Sequence, residues 1–170
     1  LANIYNTGDI RGDSAGLNLG QDGDVLNFGR ISGLDAVTLE AFARIENHGE
    51  ILGASTGVDA EDGDLTNTGL ITADRAVSMG DGDDADRVEI SNSGRIIGED
   101  VAIDLDALES RIVNSGLLQA RNDSFSAVSI GIDVFVPPGQ IVDPNVQVPV
   151  FNTWSKLRNA ISAPMISPLL

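Results

Sequence analysis

A chain of 170 residues with 42% apolar but only 4% aromatic side chains can bury one continuous core, narrow and filled mainly by aliphatic groups. Its formal charge of −16 disfavours nucleic acid as a partner, the absence of Cys excludes disulfides and thiol chemistry, and no apolar stretch is long enough to span a bilayer as a helix. With neither an initiator Met nor a signal sequence before Leu1, the chain reads as processed or excised from a longer protein.

From Ile4 onward one phrase recurs: an apolar residue, a spacer, Asn, a spacer, Gly, a spacer, an aliphatic residue. Its Asn positions are Asn6, Asn27, Asn47, Asn67, Asn92 and Asn114, and its Gly positions are Gly8, Gly29, Gly49, Gly69, Gly94 and Gly116. The apolar residues before Asn (Ile4, Val25, Ile45, Leu65, Ile90, Ile112) define one wall, and the aliphatics after Gly (Ile10, Ile31, Ile51, Ile71, Ile96, Leu118) define a second. A third wall follows in each repeat as two apolar residues around one spacer: Leu17/Leu19, Val37/Leu39, Val58/Ala60, Val77/Met79, Ile103/Leu105 and Val128/Ile130. Period-two spacing points both members of each pair to one side of a strand. Three short strands per repeat of about 20 residues predict a parallel β-helix, or solenoid, of about six coils over residues 1–130. Each strand should pair with its equivalent one coil away, roughly 4.8 Å along the axis.

The fixed polar residues then acquire roles. Stacked Asn side chains can pass amide hydrogen bonds from coil to coil, and Asn is expected to tolerate a left-handed backbone at the corner. Gly two places later is expected to supply positive φ, and a second small residue closes the next strand at Gly12, Gly33, Gly53, Ala73, Gly98 and Ala120. The stretch Gly80-Asp81-Gly82-Asp83-Asp84 is not a phosphate loop, because no Lys follows it and no strand-loop-helix context surrounds it. One coil cannot fold alone; stability builds by stacking, and both ends of the stack need cover.

All of the net charge lies in residues 1–130, because Asp133 and Asp143 balance Lys156 and Arg158 in the remainder. Acids gather at the third corner, as Asp22/Asp24, Asp62/Asp64 and Asp81/Asp83/Asp84/Asp86. Asp62, Asp64, Asp81 and Asp83 fall on adjacent coils and form a candidate calcium site, since Ca²⁺ takes six to eight oxygens of this kind. The ladder is interrupted at Glu40-Ala41-Phe42-Ala43, so solvated acidic turns are the favoured reading and no other cofactor is implied.

Catalysis has little support. The sole histidine, His48, occupies the spacer between Asn and Gly, where other repeats hold Thr7, Phe28, Thr68, Ser93 and Ser115. Asp59, Asp104 and Asp106 fall near outward positions of the third wall. With a base such as Arg75 or Arg111 facing them across a groove, they would support a carbohydrate-active enzyme or binding module. Fold by itself does not license an enzyme.

The phrases Ile112-Val113-Asn114-Ser115-Gly116-Leu117-Leu118, Leu65-Thr66-Asn67-Thr68-Gly69-Leu70-Ile71 and Val77-Ser78-Met79-Gly80-Asp81-Gly82-Asp83-Asp84 resemble the passenger repeats of bacterial autotransporter and related surface adhesin proteins. The resemblance covers residues 4 to about 130. It implies export to the cell surface or medium, a right-handed β-helix stalk, and a role in adhesion or extracellular matrix, with no catalytic motif.

Beyond residue 130 the pattern changes. Pro137, Pro138, Pro144, Pro149, Pro164 and Pro168 forbid a regular central strand, so residues 131–170 read as an extended arm or cap. A short helix is expected near Trp154, with Trp154, Leu157 and Ile161 on one face. With Met165, Ile166, Leu169 and Leu170 these residues supply an apolar surface for capping or assembly. The sequence therefore points to a secreted or cell-surface, non-enzymatic structural or adhesive β-helix. Its expected partners are further copies joined head to tail, or a surface glycan or protein.

Overall fold

In a computed structural model, residues 2–80, 87–107, 109–122, 127–130 and 134–135 are described, with side chains placed up to residue 128. They form an all-β parallel solenoid of about five turns, because six Asn positions bound five complete coils where the repeat count anticipates about six. Every pairing among the described strands is parallel.

Three faces wind around the axis. The first carries β1 (Ala2–Asn6), β4 (Gly23–Asn27), the ends of β5 (Arg30–Asn47) and β6 (Glu50–Asn67), then β8 (Arg87–Asn92) and β10 (Glu109–Asn114). The second stacks β2 (Asp9–Arg11), the starts of β5 and β6, β7 (Leu70–Met79), β9 (Arg95–Leu105) and β11 (Leu117–Ala120). The third stacks β3 (Ala15–Leu19), the middles of β5 and β6, the ends of β7 and β9, and β12 (Val128–Ile130). The 18-residue strands β5 and β6 pass through all three faces, and the register between them shifts between Gly33 and Asp35 and between Leu39 and Phe42, where the chain turns.

The three sequence-derived walls match this register. Ile4, Val25, Ile45, Leu65, Ile90 and Ile112 are consecutive partners, as are Ile10, Ile31, Ile51, Ile71, Ile96 and Leu118. The third-wall pairs align in the same way from Leu17/Leu19 to Val128/Ile130. Ile31, Ile51, Val77 and Ile103 are fully buried. A further inward row lies beside the third wall, where Ala36, Ala76 and Ala102 are fully buried and Ala127 nearly so. The bend into the third face turns two successive residues inward, such as Ala36 and Val37. Strict period-two reasoning passes over this.

Two local expectations are corrected. No described Asn, and no other described non-glycine residue, has positive φ. Each repeat Asn instead ends a strand of the first face with its amide turned inward. From the second coil on, the glycine after Asn is required by approach: a Cβ at Gly49 would stand 2.0 Å from the carbonyl oxygen of Gly29 in the previous coil. Among the described residues positive φ is confined to Gly63 (119°) and Gly80 (95°), both at the third corner.

The amides form one directional chain. Asn6 Nδ2 donates to Asn27 Oδ1 at 2.8 Å, and the same bond continues through Asn47, Asn67 and Asn92 to Asn114 at 2.7 to 2.8 Å. Each donor also reaches backbone carbonyls at the corner, as Asn47 Nδ2 does to Leu70 O at 3.2 Å.

From the tail, β13 (Val134–Phe135) pairs in parallel with β10, so first-face pairing reaches past residue 130. No helix occurs among the described residues. The expected helix at Trp154, Leu157 and Ile161, with Met165, Ile166, Leu169 and Leu170, lies outside them.

Candidate binding face

The outer side of the first face carries the densest set of functional groups. Alternation along each strand sends the residues between the wall positions outward. One outward row therefore reads Asp24, Arg44, Asp64, Glu89, Arg111, and the next reads Tyr5, Leu26, Glu46, Thr66, Ser91. Acids and bases interleave in the first row, and Arg111 and Arg87 both pair with Glu89, the latter at 3.4 Å. Among the described residues Arg44 has no ion pair within 4.0 Å.

Two shallow depressions, each about 320 Å³, lie along this face. One is lined by Asn3, Tyr5, Asp24, Leu26, Arg44 and Glu46, and its floor is largely apolar. The other is lined by Arg44, Glu46, Asp64, Thr66, Arg87, Glu89 and Ser91. Arg44 and Glu46 belong to both, so the depressions join into one trough along the axis.

An aromatic cluster borders the first depression. Phe28 stacks on His48 with ring centroids 4.7 Å apart and planes within 14°, and Tyr5 tilts against Phe28 at 5.9 Å. His48 Nδ1 lies 2.8 Å from Thr68 Oγ1, and its Nε2 is 3.9 Å from Glu46. Tyr5 remains 69% exposed and Phe28 50% exposed, in a chain with few aromatic residues. These contacts hold the His48 ring at the edge of the trough, in the outward spacer position that the repeat assigns to it.

The acidic residues of the third face form a separate group. Arg75 Nε is 3.3 Å from Asp104. In register, Asp59 is flanked by Thr38 and Ser78, and Asp104 lies beyond Ser78. Asp59 and Asp104 are thus two coils apart, about 10 Å along the axis. Burial raises the Asp59 carboxyl above its ordinary value and the nearby Asp35 adds to the effect, while a hydrogen bond from Ser78 and the charge of Arg75 oppose it. Arg111 sits on the first face with Glu89, away from this group. Asp106 follows the end of β9, where its N–H donates to Met79 O at 3.0 Å.

Of the candidate calcium ligands, Asp62 and Asp64 flank Gly63, and Asp64 stands in the outward row between Arg44 and Glu89. Asp81 and Asp83 lie outside the described residues. No group of three or more acidic, His or Cys side chains suited to a metal occurs among the described residues. Phe42 occupies the position in register with Asp62, which is where the sequence places the break in the acidic ladder.

The repeat predicts the inward residues; it is silent on the trough. A coil-by-coil reading of the spacers beside each Asn would have flagged it, since Tyr5, Leu26, Phe28 and His48 cluster in the first three coils where later coils carry Thr and Ser apart from Val113. No family model, no curated protein and no solved structure matches the chain.

Proposed function

We propose that the chain is a non-enzymatic structural and adhesive solenoid, secreted or held at a cell surface, that meets its partner through the outer first face. The observation that carries this reading is the trough formed by two depressions sharing Arg44 and Glu46. Behind it, the Asn ladder and aliphatic core tie every rung to the next, so outward groups keep a fixed spacing. Exposed Tyr5 and Phe28 beside the trough are the kind of apolar patch that marks an interaction surface. The extracellular setting rests on the likeness of the repeat phrases to surface adhesin passengers.

Beads coated with the full chain should adhere to cells or to matrix, and the double variant Tyr5→Ala/Phe28→Ala should adhere less. Equal adhesion by variant and parent would remove the face from the reading. Head-to-tail self-association through residues 131–170 belongs to the same proposal; the parallel addition of β13 to β10 is within one chain and continues its own first face. Deleting residues 161–170 should then turn larger species into monomers by light scattering, whereas a monomeric full chain at high concentration would end that part.

A second reading, a carbohydrate-active enzyme, draws on Asp59, Arg75 and Asp104 of the third face. Release of reducing sugar from a glycan, abolished by Asp59→Asn or Asp104→Asn, would establish it over the first.

A further inference from the structure

We infer that the trough takes an extended, β-linked glycan of neutral or N-acetylated sugars lying parallel to the solenoid axis, an inference that rests on the adhesive reading of this face. Three features carry it. The first is spacing: equivalent outward positions recur every coil at roughly 4.8 Å, close to the advance per residue of an extended β-linked sugar chain, so such a chain can lie along the axis with about one sugar to each coil. The second is surface chemistry. Tyr5 and Leu26 floor the first depression and Phe28 stands beside it, offering apolar and aromatic faces to the C–H faces of pyranose rings. The third is the polar set. Arg44 is a guanidinium with no ion pair within 4.0 Å among the described residues, flanked in register by Asp24 and Asp64 and accompanied by Glu46.

Donor and acceptors thus interleave along the trough, matching sugar hydroxyls that both donate and accept. The same carboxylates, within a chain of net charge −16, oppose uronates and sulfated sugars. A peptide strand would need unpaired backbone groups, and the first-face strands from β4 to β8 are paired on both sides.

Calorimetric titration of the full chain with cellohexaose, chitohexaose and hexagalacturonate provides the test. A neutral hexasaccharide should bind about tenfold or more tightly than its disaccharide, because the trough spans several sugars, and hexagalacturonate should bind more weakly. Tyr5→Ala and Phe28→Ala should each weaken binding by about five- to tenfold, as loss of an aromatic contact does. Leu34→Ser removes an exposed apolar residue away from the trough and should bind as the parent does. All three side chains point outward, so their circular dichroism and melting should match the parent. Failure of both neutral hexasaccharides to bind, preference for hexagalacturonate, or equal weakening by Leu34→Ser would overturn the inference. If glycans fail while coated beads still adhere through Tyr5 and Phe28, the ligand is a protein surface and the adhesive reading survives. If the beads do not adhere either, both fall.

Discussion

Replacing Asn47 by alanine removes the centre of a hydrogen-bonded chain that runs the length of the solenoid. Asn47 is fully buried. Its Oδ1 accepts from Asn27 at 2.8 Å, and its Nδ2 donates to Asn67 Oδ1 at 2.8 Å, to Leu70 O at 3.2 Å and to Gly49 O at 3.3 Å. Net losses of about 1 kcal/mol per good bond, with about 1 to 3 kcal/mol more for Asn67 Oδ1 left buried without its ladder donor, sum to about 3 to 5 kcal/mol. Asn114 stands at the far end, only half-buried. It accepts from Asn92 at 2.7 Å and exchanges bonds with Gly116 at 3.2 Å, where nearby solvent can replace what alanine removes. Asn114→Ala should therefore cost about 1 to 2 kcal/mol. Urea unfolding followed by circular dichroism measures both, with similar m-values confirming comparable transitions. Equal losses at the two positions, within about 0.5 kcal/mol, would refute the assignment of the ladder as a cooperative buried element.

Ile31→Asp and Val77→Asp each place an unpaired carboxylate in the dry interior, and circular dichroism should report loss of the native β signal at neutral pH. Gly49→Ala sets a Cβ 2.0 Å from Gly29 O, so melting should fall by the equivalent of about 2 to 3 kcal/mol. Asp59→Asn tests linkage. Because the folded-state value is raised, the folded chain holds this proton to higher pH than the unfolded chain, and stability falls as pH climbs from the ordinary 3.8 through the raised value. Asp59→Asn should thus melt higher than the parent at pH 7, with the gain vanishing in acid below the ordinary value. Calcium, magnesium and monovalent salt at matched ionic strength should raise melting alike by screening the net charge. A calcium-specific gain removed by Asp64→Asn would instead establish a site.

The walls were legible because apolar residues at i and i+2, repeated at a near-constant interval, leave little freedom in strand register: Ile31, Ile51, Ile71 and Ile96 had one arrangement that buried them all. Asn and Gly were legible as a ladder and a corner, yet the backbone reason was not. Strands that approach within van der Waals contact select Gly49 as strongly as positive φ would, and composition does not distinguish the two. The row of Ala36, Ala76 and Ala102 escaped notice because alanine beside valine carries no periodic signal at a bend. On the third face, Asp59 and Asp104 were legible as outward positions of one wall, but Arg75 and Arg111 were equal alternatives in sequence, and stacking puts Arg75 beside Asp104 and Arg111 beside Glu89. The trough was not legible, since spacer residues such as Tyr5 and Arg44 vary from coil to coil and gain meaning only when the coils are stacked.

A regular, stiff stack that holds its outward rows at one spacing underlies both the ladder and the proposed binding face. The chain has no cysteine, so Thr7→Cys/Ser115→Cys accepts two spin labels only, at equivalent exposed corner positions at the two ends of the Asn ladder. Double electron–electron resonance should give one narrow distance distribution near 24 Å, five coil spacings of about 4.8 Å. A broad distribution, or one centred well beyond that distance, would contradict the stacked solenoid and the continuous face built on it.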